Sequence, residues 1–416
     1  MTHFGIICPP VAGHLYLMTT LGYELKQRGH RVSLVGIPDT RVKAEAIGLE
    51  FIEIGEKDFP LGTSKEKFFL GELTGIASLK YAFKILEELA EVLLENAPGA
   101  IKEAGIEALL IDQLSVGRNV AEFLGLPYIT ISCNLLQNRE NSIPPFDTLW
   151  QYNPAWWAVL RNQFGYQIKN ILSAPLKKTV VKYRQKWNLP MTPYYPLAVI
   201  SQLPAEFEFP RQKLPQWLHF TGPFSATREP VSFPWEKLTG QPLVYASMGT
   251  LQNRSLDVFK IIARACGGLD VQLVISLGGG LSPESLPQLP GNPIVVGYAP
   301  QLELLQKATL TITHAGLNTV MESLSNGVPM VAVPAMTNDH PGTAVRIAWT
   351  GVGEVVPLKR LKVSSLQKAI AKVLTEDSYK QNAMRLQEGI KRAGGVIRAA
   401  DIIEKAVVTG KPVLSS

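Results

Sequence analysis

The hydrophobic positions of the chain form short apolar runs that are rich in β-branched residues and separated by turns. Such runs predict strands buried on both faces of a sheet. The predicted strands cover residues 3–9, 30–37, 108–113, 128–133, 242–249, 271–278, 292–298, 310–316 and 329–335. Between many of these runs the apolar residues follow helical spacing. The predicted helices cover residues 15–27, 116–124, 257–266 and 317–325.

Strands that alternate with helices predict parallel βαβ units, and the chain contains two series of them. We therefore expect an α/β protein with two Rossmann-like, doubly wound parallel-sheet domains that face each other across a cleft. Ligands should bind in that cleft, beyond the carboxyl ends of the strands. A segment rich in Pro, Ser, Thr and Arg separates the two series. The expected parts are residues 1–222, a linker at 223–234, residues 235–395, and a helical tail at 396–416 that returns to the first domain.

The composition agrees with this organisation. The 416 residues are 46% hydrophobic and 18% charged, which is typical of a soluble globular protein with two cores. No apolar run reaches the roughly 18 residues that a membrane span needs. The apolar run at residues 4–11 has no basic segment before it and is interrupted by Pro9 and Pro10. We interpret it as a first strand and turn rather than a signal peptide.

Charge and cysteine content limit the partners and the compartment. The net charge of +6 includes no dense Lys/Arg tract, which disfavours nucleic acid as a partner. Cys8, Cys133 and Cys266 are odd in number, far apart and without metal-ligand spacing. This usage is typical of a reducing compartment, and we expect a cytoplasmic protein.

A strand end, a helix start and several polar side chains coincide at residues 310–319. A helix N-terminus offers free N–H groups and the positive end of the helix dipole, which suits a diphosphate. Gly316 permits close backbone approach, and Asn318 and Thr319 can add side-chain donors. His314, at the end of the strand, can donate to a phosphate oxygen and help neutralise a leaving group.

Other positions extend this candidate site from the diphosphate to the rest of a nucleotide. Glu322 lies further along the same predicted helix face, where a carboxylate can accept both hydroxyls of a ribose. Tyr298 ends the preceding strand and can stack on a base, although an aromatic residue at a domain edge gives the same pattern. Ser247, Gly249 and Thr250 form another strand-to-loop junction that could face the phosphates.

Motifs of other nucleotide-binding classes are missing from the sequence. Neither G-x-G-x-x-G nor G-x-x-x-x-G-K-[ST] occurs, which disfavours a dehydrogenase and a P-loop NTPase. The glycine run at 278–280 follows a predicted strand, but Pro283 breaks the segment and no helix start follows. We interpret this run as a plain loop.

A candidate catalytic pair lies in the first domain. His14 follows the first predicted strand, at the start of a helix, and should face the cleft. A neutral histidine can deprotonate a hydroxyl that attacks an anomeric carbon. Asp112 ends another buried strand, where an unpaired carboxylate would be costly. The two side chains are therefore predicted to pair, with Asp112 orienting the ring and stabilising the imidazolium.

Aromatic residues accumulate on an irregular segment at 141–157. They could line an apolar acceptor pocket or simply cover the core of the first domain. The candidate pocket residues are Phe146, Trp150, Trp156 and Trp157. A basic helix follows, and its charged residues are Lys177, Lys178, Lys182, Arg184 and Lys186. This helix is typical of a solvated face, and the alternative is contact with a membrane surface.

These motifs, in this order, resemble those of family 1 UDP-glycosyltransferases with the GT-B fold, and the resemblance covers nearly the whole chain. Within that family, the runs at 111–113, 121–127, 138–140, 200–203, 209–211, 399–404 and 410–415 are similar to bacterial zeaxanthin (carotenoid) glucosyltransferases. The resemblance implies that the N-terminal domain binds the acceptor and that the C-terminal domain binds the UDP-sugar.

The resemblance also implies roles for single residues. The uridine would be held by Tyr298, Ala299 and Gln301. The diphosphate would be held by His314, Gly316, Asn318 and Thr319, and the ribose by Glu322. The sugar hydroxyls would meet Asp339 and His340. The family usually has Gln at position 340, and histidine there accompanies galactose donors more often than glucose donors among plant relatives. Plant members usually have Trp at position 298, where the smaller Tyr can still stack.

The sequence thus predicts an inverting transfer of a hexose, expected to be glucose, from a UDP-sugar to a hydroxyl of an apolar acceptor such as a xanthophyll. We expect no metal and no other cofactor, because no Asp-x-Asp stands near a strand end and the helix dipole can replace a cation. We also expect a monomer, with peripheral membrane contact as an option. Three alternatives stay open: a transferase for phenolics, flavonoids or macrolides, a sugar-nucleotide epimerase, and a non-catalytic nucleotide-sugar-binding protein.

Overall fold

The computed structural model describes residues 1–63, 67, 75–192, 194–225, 231–249, 255–335 and 338–415, without the side chain of Ser285. Two parallel sheets account for all the strands of these residues. None of the helices in the described ranges combines the length and the apolar character that a transmembrane segment requires.

The N-terminal sheet has seven parallel strands in the order β3-β2-β1-β4-β5-β6-β7. Its strands are β1 (His3–Ile7), β2 (Arg31–Gly36), β3 (Glu50–Glu53), β4 (Ala108–Asp112), β5 (Tyr128–Ser132), β6 (Val199–Ser201) and β7 (Leu218–Phe220). The helices of this part are α1 (Ala12–Gln27), α2 (Arg41–Glu45), α3 (Gly75–Ala104), α4 (Gly117–Leu124), α5 (Trp156–Leu172) and α6 (Ala174–Lys186).

The C-terminal sheet has six parallel strands in the order β10-β9-β8-β11-β12-β13. Its strands are β8 (Leu243–Ser247), β9 (Gln272–Ser276), β10 (Ile294–Val296), β11 (Ala308–Thr313), β12 (Met330–Ala332) and β13 (Gly353–Val355). The remaining helices are α7 (Leu256–Cys266), α8 (Gln301–Leu305), α9 (Leu317–Ser325), α10 (His340–Trp349), α11 (Val363–Thr375), α12 (Asp377–Ala393) and α13 (Gly395–Thr409). Single 3₁₀ turns occur at Pro38–Thr40, Ala205–Phe207, Trp235–Lys237, Pro283–Ser285 and Leu358–Arg360.

Both sheets are covered on both faces, which is why their strands are apolar throughout rather than alternating. In the first domain, one apolar cluster joins the sheet to α1 and α13, and another joins it to α3 and α4. In the second domain, α7 and α11 cover one face, while α8, α9, α10 and α12 contribute to clusters that include residues of the same sheet. The predicted doubly wound architecture is therefore confirmed.

All nine predicted strands and all four predicted helices occur, with ends that differ by a few residues. Four strands were not predicted, namely β3, β6, β7 and β13. Each has only three or four residues. The strands β10 and β12 are as short but lie within the longer apolar runs at 292–298 and 329–335, whereas β3, β7 and β13 contain Glu or His and produce no such run.

The two domains share a buried apolar cluster. Leu135, Leu203 and Phe207 of the first domain pack with Leu317 and Leu324 of α9. The C-terminal helix α13 crosses back and packs on α1, where Ile403 is fully buried. This packing sets the two carboxyl-end edges opposite each other.

Candidate active site

The first sheet brings His14 and Asp112 together because β1 and β4 are neighbours in it. His14 is the third residue of α1, directly after β1, and Asp112 is the last residue of β4. His14 Nδ1 lies 2.6 Å from Asp112 Oδ2. Asp112 Oδ1 accepts the backbone N–H of Leu114 at 2.8 Å. The carboxylate is fully buried, so its position and that of the ring are determined by these hydrogen bonds.

Opposing effects act on the His14 ring. Burial acts to lower its pKa, but the charge of Asp112, the hydrogen bond to it and the charge of Asp339 outweigh burial and raise the pKa above its ordinary value. Since Nδ1 faces Asp112, Nε2 is the nitrogen that can accept a proton in the cleft.

A strained turn joins β11 to α9 in the second domain. Ala315 has a φ of +66°, which is unusual for a residue other than glycine. Its N–H donates to Thr313 Oγ1 at 3.2 Å. Gly316 then forms the N-cap of α9 and has no side chain to occupy the free N–H groups of the first turn. Such a turn can hold a diphosphate.

The His314 ring lies between two glycines. A Cβ atom on Gly249 would be 2.5 Å from His314 Nε2, and a Cβ on Gly316 would collide with the same atom. Gly249 also has a φ of +75°. Both positions therefore require glycine if the ring is to keep this place.

His314 and His340 form a half-buried pair with nearly perpendicular rings whose centroids are 4.7 Å apart. Burial, followed by the charge effect of His340, lowers the pKa of His314 to about 3, and burial lowers the pKa of His340 to about 4. Both rings are thus neutral at pH 7, so His314 can serve as a hydrogen-bonding group but not as a cation. The Nδ1 atoms of both rings are buried and have no hydrogen-bond partner within the described ranges.

Gln301 connects the start of α8 to Glu322. Its Nε2 donates to Glu322 Oε2 at 2.5 Å, and its Oε1 accepts the hydroxyl of Tyr245 at 2.9 Å. Thr319 Oγ1 also lies 3.5 Å from Gln301 Nε2. Glu322 is 8% exposed, so it lies behind Gln301 rather than freely in the cleft.

Tyr298 follows β10 and is 60% exposed, with its hydroxyl end packed over Gly279. Gly278 and Gly279 both have positive φ and form a turn after β9. The glycine run was interpreted as a plain loop, and it is one, but it also supports the ring that is predicted to hold the base.

Asp339 and His340 begin α10 at the interface of the domains. Asp339 Oδ2 accepts the N–H of Leu135 at 3.4 Å. Burial raises the pKa of Asp339, although His14 acts in the opposite direction. The preceding Asn338 has a φ of +51°, so the backbone here is also strained.

Backbone carbonyl groups of the first domain accept hydrogen bonds from α9 and α10. Asn318 Nδ2 donates to the carbonyl oxygen of Gly13 at 3.3 Å, next to His14. The Gly342 N–H donates to the carbonyl oxygen of Phe146 at 2.8 Å, and a Cβ on Gly342 would collide with that oxygen. The catalytic pair and the predicted donor site therefore meet in one place.

A single cleft of about 1080 Å³ runs between the domains. The predicted site residues that line it are His14, Phe146, Ser247, Gly249, Tyr298, Ala299, Gln301, His314, Gly316, Asn318, Thr319, Asp339 and His340. Asp112 and Glu322 lie behind His14 and Gln301, each one hydrogen bond away from the lining. Thr250 lies outside the described residues.

The part of the cleft next to His14, where an acceptor is predicted to bind, is formed by elements that were not predicted for it. The first half of α3 contributes its apolar wall, and α1 contributes Tyr16. The lining residues of α3 are Leu79, Tyr81, Ala82, Phe83, Ile85 and Leu86. The apolar residues of 79–94 follow helical spacing and so predict a helix. The spacing does not indicate which face of that helix would meet a ligand.

Three of the four aromatic residues predicted for the acceptor pocket do not line the cleft, and this prediction is corrected for them. Trp150 packs against Gly165 and under Arg161. Trp156 and Trp157 begin α5 on its outer side and are 75% and 48% exposed. The reason is geometric, since α5 packs inward with the side that carries Ala158, Asn162 and Gly165, and both tryptophans lie on the opposite side.

Comparisons with known proteins agree with this geometry. Residues 194–392 match the family model of "UDP-glucoronosyl and UDP-glucosyl transferase". A zeaxanthin glucosyltransferase of Pantoea ananas is 32% identical, over 100% of this chain and 98% of its own. One of Pseudescherichia vulneris is 31% identical, over 99% and 100%. The crystal structure of the calicheamicin glycosyltransferase CalG4 superposes with a TM-score of 0.77 at 20% identity, over 99% and 100% of the two chains, and supports the fold.

Proposed function

The chain belongs to the UDP-glucoronosyl and UDP-glucosyl transferase family, and we propose that it is an inverting enzyme that transfers a hexose from a UDP-sugar to a hydroxyl of an apolar acceptor. The observation that carries the proposal is the position of the His14–Asp112 pair, which is hydrogen-bonded at 2.6 Å and opens into the cleft next to the turn at 314–316.

The proposed reaction is a single displacement. His14 Nε2 takes the proton of the acceptor hydroxyl while the oxygen attacks the anomeric carbon and the bond to the diphosphate breaks. Asp112 stabilises the imidazolium that forms. The free N–H groups at the start of α9 and a hydrogen bond from neutral His314 stabilise the negative charge on departing UDP. Attack from the side opposite the leaving group inverts the anomeric configuration.

We propose glucose as the sugar and Asp339 with His340 as the residues that bind its hydroxyls. The support is that both side chains line the cleft beside His14 and the turn at 314–316. A neutral ring offers one donor and one acceptor, as the amide of Gln does.

We propose a xanthophyll as the acceptor. Two kinds of evidence support it: the apolar wall of α3 in a cleft large enough for two ligands, and full-length relatives at 31% and 32% identity named zeaxanthin glucosyltransferases. Such an acceptor dissolves in membranes, so we propose that the enzyme works as a monomer at a membrane surface in the cytoplasm. One chain builds the whole cleft for donor and acceptor, which supports a monomer. The three free cysteines support a location in the cytoplasm.

We propose that no metal or other cofactor takes part. The helix start can carry the charge of the diphosphate. His14, Asp112 and Cys133 do have potential ligand atoms within 4.8 Å of one another. The Asp112 carboxylate there already accepts hydrogen bonds from His14 and Leu114.

The test is His14→Ala with UDP-glucose and zeaxanthin. We expect kcat to fall by about 10²–10⁴-fold while UDP affinity stays unchanged, because the ring acts on the acceptor. His30→Ala is a matched control, since His30 pairs with Glu404 at 3.0 Å at similar exposure but does not line the cleft. Transfer by His14→Ala at a comparable kcat would refute the base assignment. The product's anomeric configuration, read by NMR, tests inversion.

A further inference from the structure

The outer side of α5 carries an exposed, largely apolar stripe, in which Gln167 is polar and Arg161 lies over the Trp157 ring at 5.5 Å. Its exposed residues are Trp156 (75%), Trp157 (48%), Leu160 (54%), Phe164 (62%) and Ile171 (72%). At 3.6 residues per turn they fall within a sector of about 100° and extend over about 22 Å. The inner side is made of Ala158, Asn162 and Gly165, which are buried. No residue of the described ranges covers the stripe enough to bury it.

The surroundings of the stripe are basic. Residues 148–205 contain no Asp or Glu. Ser173 is the only residue between α5 and α6, and Lys177 Nζ donates to Asn170 Oδ1 at 3.0 Å. The first lysine of α6 therefore lies beside the last turn of α5, near Ile171. Lys178 and Lys182 are exposed on the same helix.

Not every cation of this region is available to a partner. Arg184 is buried against Glu122 at 2.7 Å, and Lys169 pairs with Asp147 at 3.1 Å. Glu95 of α3 lies close enough to Lys186 and Lys182 for both charges to contribute to lowering its pKa, after the larger effect of the Tyr183 hydroxyl. Lys177, Lys178 and Lys182 have no ion pair among the described residues.

We propose that the α5 stripe, with Lys177, Lys178 and Lys182, is a docking surface for a bilayer that contains anionic phospholipid. Exposed tryptophans and aliphatic side chains on one helix face, next to lysines without carboxylates, match the acyl boundary and the phosphate groups of such a bilayer.

Docking by this face would bring the cleft to the membrane. Lys169 lies on the other side of α5 and lines the cleft together with Phe146, whose ring it covers at 3.4 Å. The stripe and the cleft are thus separated by the thickness of one helix, about 10 Å. Delivery of a membrane-dissolved acceptor is the role of this arrangement, and that role rests on the proposed function, whereas lipid binding itself does not.

The experiment is co-sedimentation of the full chain with vesicles of phosphatidylcholine alone or mixed with phosphatidylglycerol. We expect binding to the mixed vesicles only, weakened by salt. Lys177→Gln/Lys178→Gln/Lys182→Gln should bind on the order of 100-fold more weakly, because each lysine near an anionic surface contributes about fivefold. Lys359→Gln/Lys368→Gln/Lys411→Gln changes the net charge equally at exposed positions elsewhere and should bind like the wild type.

A second pair of variants tests the apolar part. Leu160→Ser/Phe164→Ser should bind at least tenfold more weakly, while Ile397→Ser/Val408→Ser, at exposed positions of α13, should not change. Unchanged melting temperatures and unchanged transfer to a water-soluble phenol show that the variants are folded and active. The docking surface is refuted if the wild type does not bind the mixed vesicles. It is also refuted if the two control variants lose as much vesicle binding as the variants that they are compared with. A dimer in solution that Leu160→Ser/Phe164→Ser dissociates without affecting vesicle binding refutes it as well.

Discussion

His14 Nδ1 and Asp112 Oδ2 are 2.6 Å apart, although the two residues are 98 positions apart in the chain. The carboxylate orients the ring so that Nε2 faces the cleft, and together with Asp339 it raises the pKa of His14 despite burial. The pair therefore has a measurable signature in the pH dependence of the reaction.

We expect kcat/KM to fall on the acidic side with an apparent pKa above 6.5, because the base must be neutral and the pKa of His14 is raised. In Asp112→Asn, burial still acts to lower the pKa of His14, but the charge of the carboxylate and the hydrogen bond to it no longer raise that pKa. The acidic limb should then move to lower pH while the plateau falls. A pH–rate profile of both proteins checks this, and a limb that stays in place would show that another group titrates.

Gly249→Ala should weaken UDP binding at least tenfold. The added Cβ would lie 2.5 Å from His314 Nε2, and a φ of +75° costs an alanine about 1–2 kcal/mol. Titration calorimetry with UDP measures the effect. Gly99→Ala is the matched control, since a Cβ there meets nothing within 4 Å. If Gly249→Ala binds UDP as the wild type does, the position of His314 is not needed for the diphosphate.

His340→Gln should change the ratio of kcat/KM for UDP-glucose to that for UDP-galactose, with a gain for glucose. The reason is that the Gln amide and the neutral His imidazole, both placed at the start of α10, point their donor and acceptor atoms in different directions. Affinity for UDP without a sugar should not change. Competition between the two donors, read by mass spectrometry, gives the ratio, and an equal ratio in both proteins would remove His340 from sugar selection.

Arg346→Met should destabilise the protein by about 3–5 kcal/mol, because it leaves the buried carboxylate of Glu208 without its main partner. This pair joins α10 to the first domain, and both side chains are almost fully buried. Arg392→Met breaks a second contact between the domains, from Arg392 to Glu206 at 2.9 Å, in which the side chains are 68% and 39% exposed. Its expected cost is about 0–1 kcal/mol. Urea unfolding of both variants compares them, and equal losses would contradict the role of burial.

Removal of divalent metal should leave transfer unchanged. The helix start at Gly316 provides N–H groups and a positive dipole end for the diphosphate. The measurement is initial rate after dialysis against EDTA, with and without added Mg²⁺ or Mn²⁺. Activity that is lost and then restored by either ion would refute the proposal.

Much of the fold follows from local sequence. The apolar run before Asp112 and the run rich in Thr and Ile before His314 are long enough to identify strands, and the residues after them identify helix starts. Since parallel strands end at one edge of a sheet, polar residues at those ends can be assigned to a cleft without coordinates. The short strands β3, β6, β7 and β13 were missed. Of these, β3, β7 and β13 are interrupted by Glu or His, while the equally short β10 and β12 lie within longer apolar runs.

The sequence by itself determined the two-sheet architecture, the family and the set of residues that could serve the donor, because these depend on local patterns and motifs. Only the tertiary structure decided that Gln301 covers Glu322, that α3 rather than Trp156 and Trp157 forms the apolar wall, and that those tryptophans face outward. The physical reason is that which face of a helix meets a cavity depends on how the helix packs on distant elements, and residue type alone does not specify it.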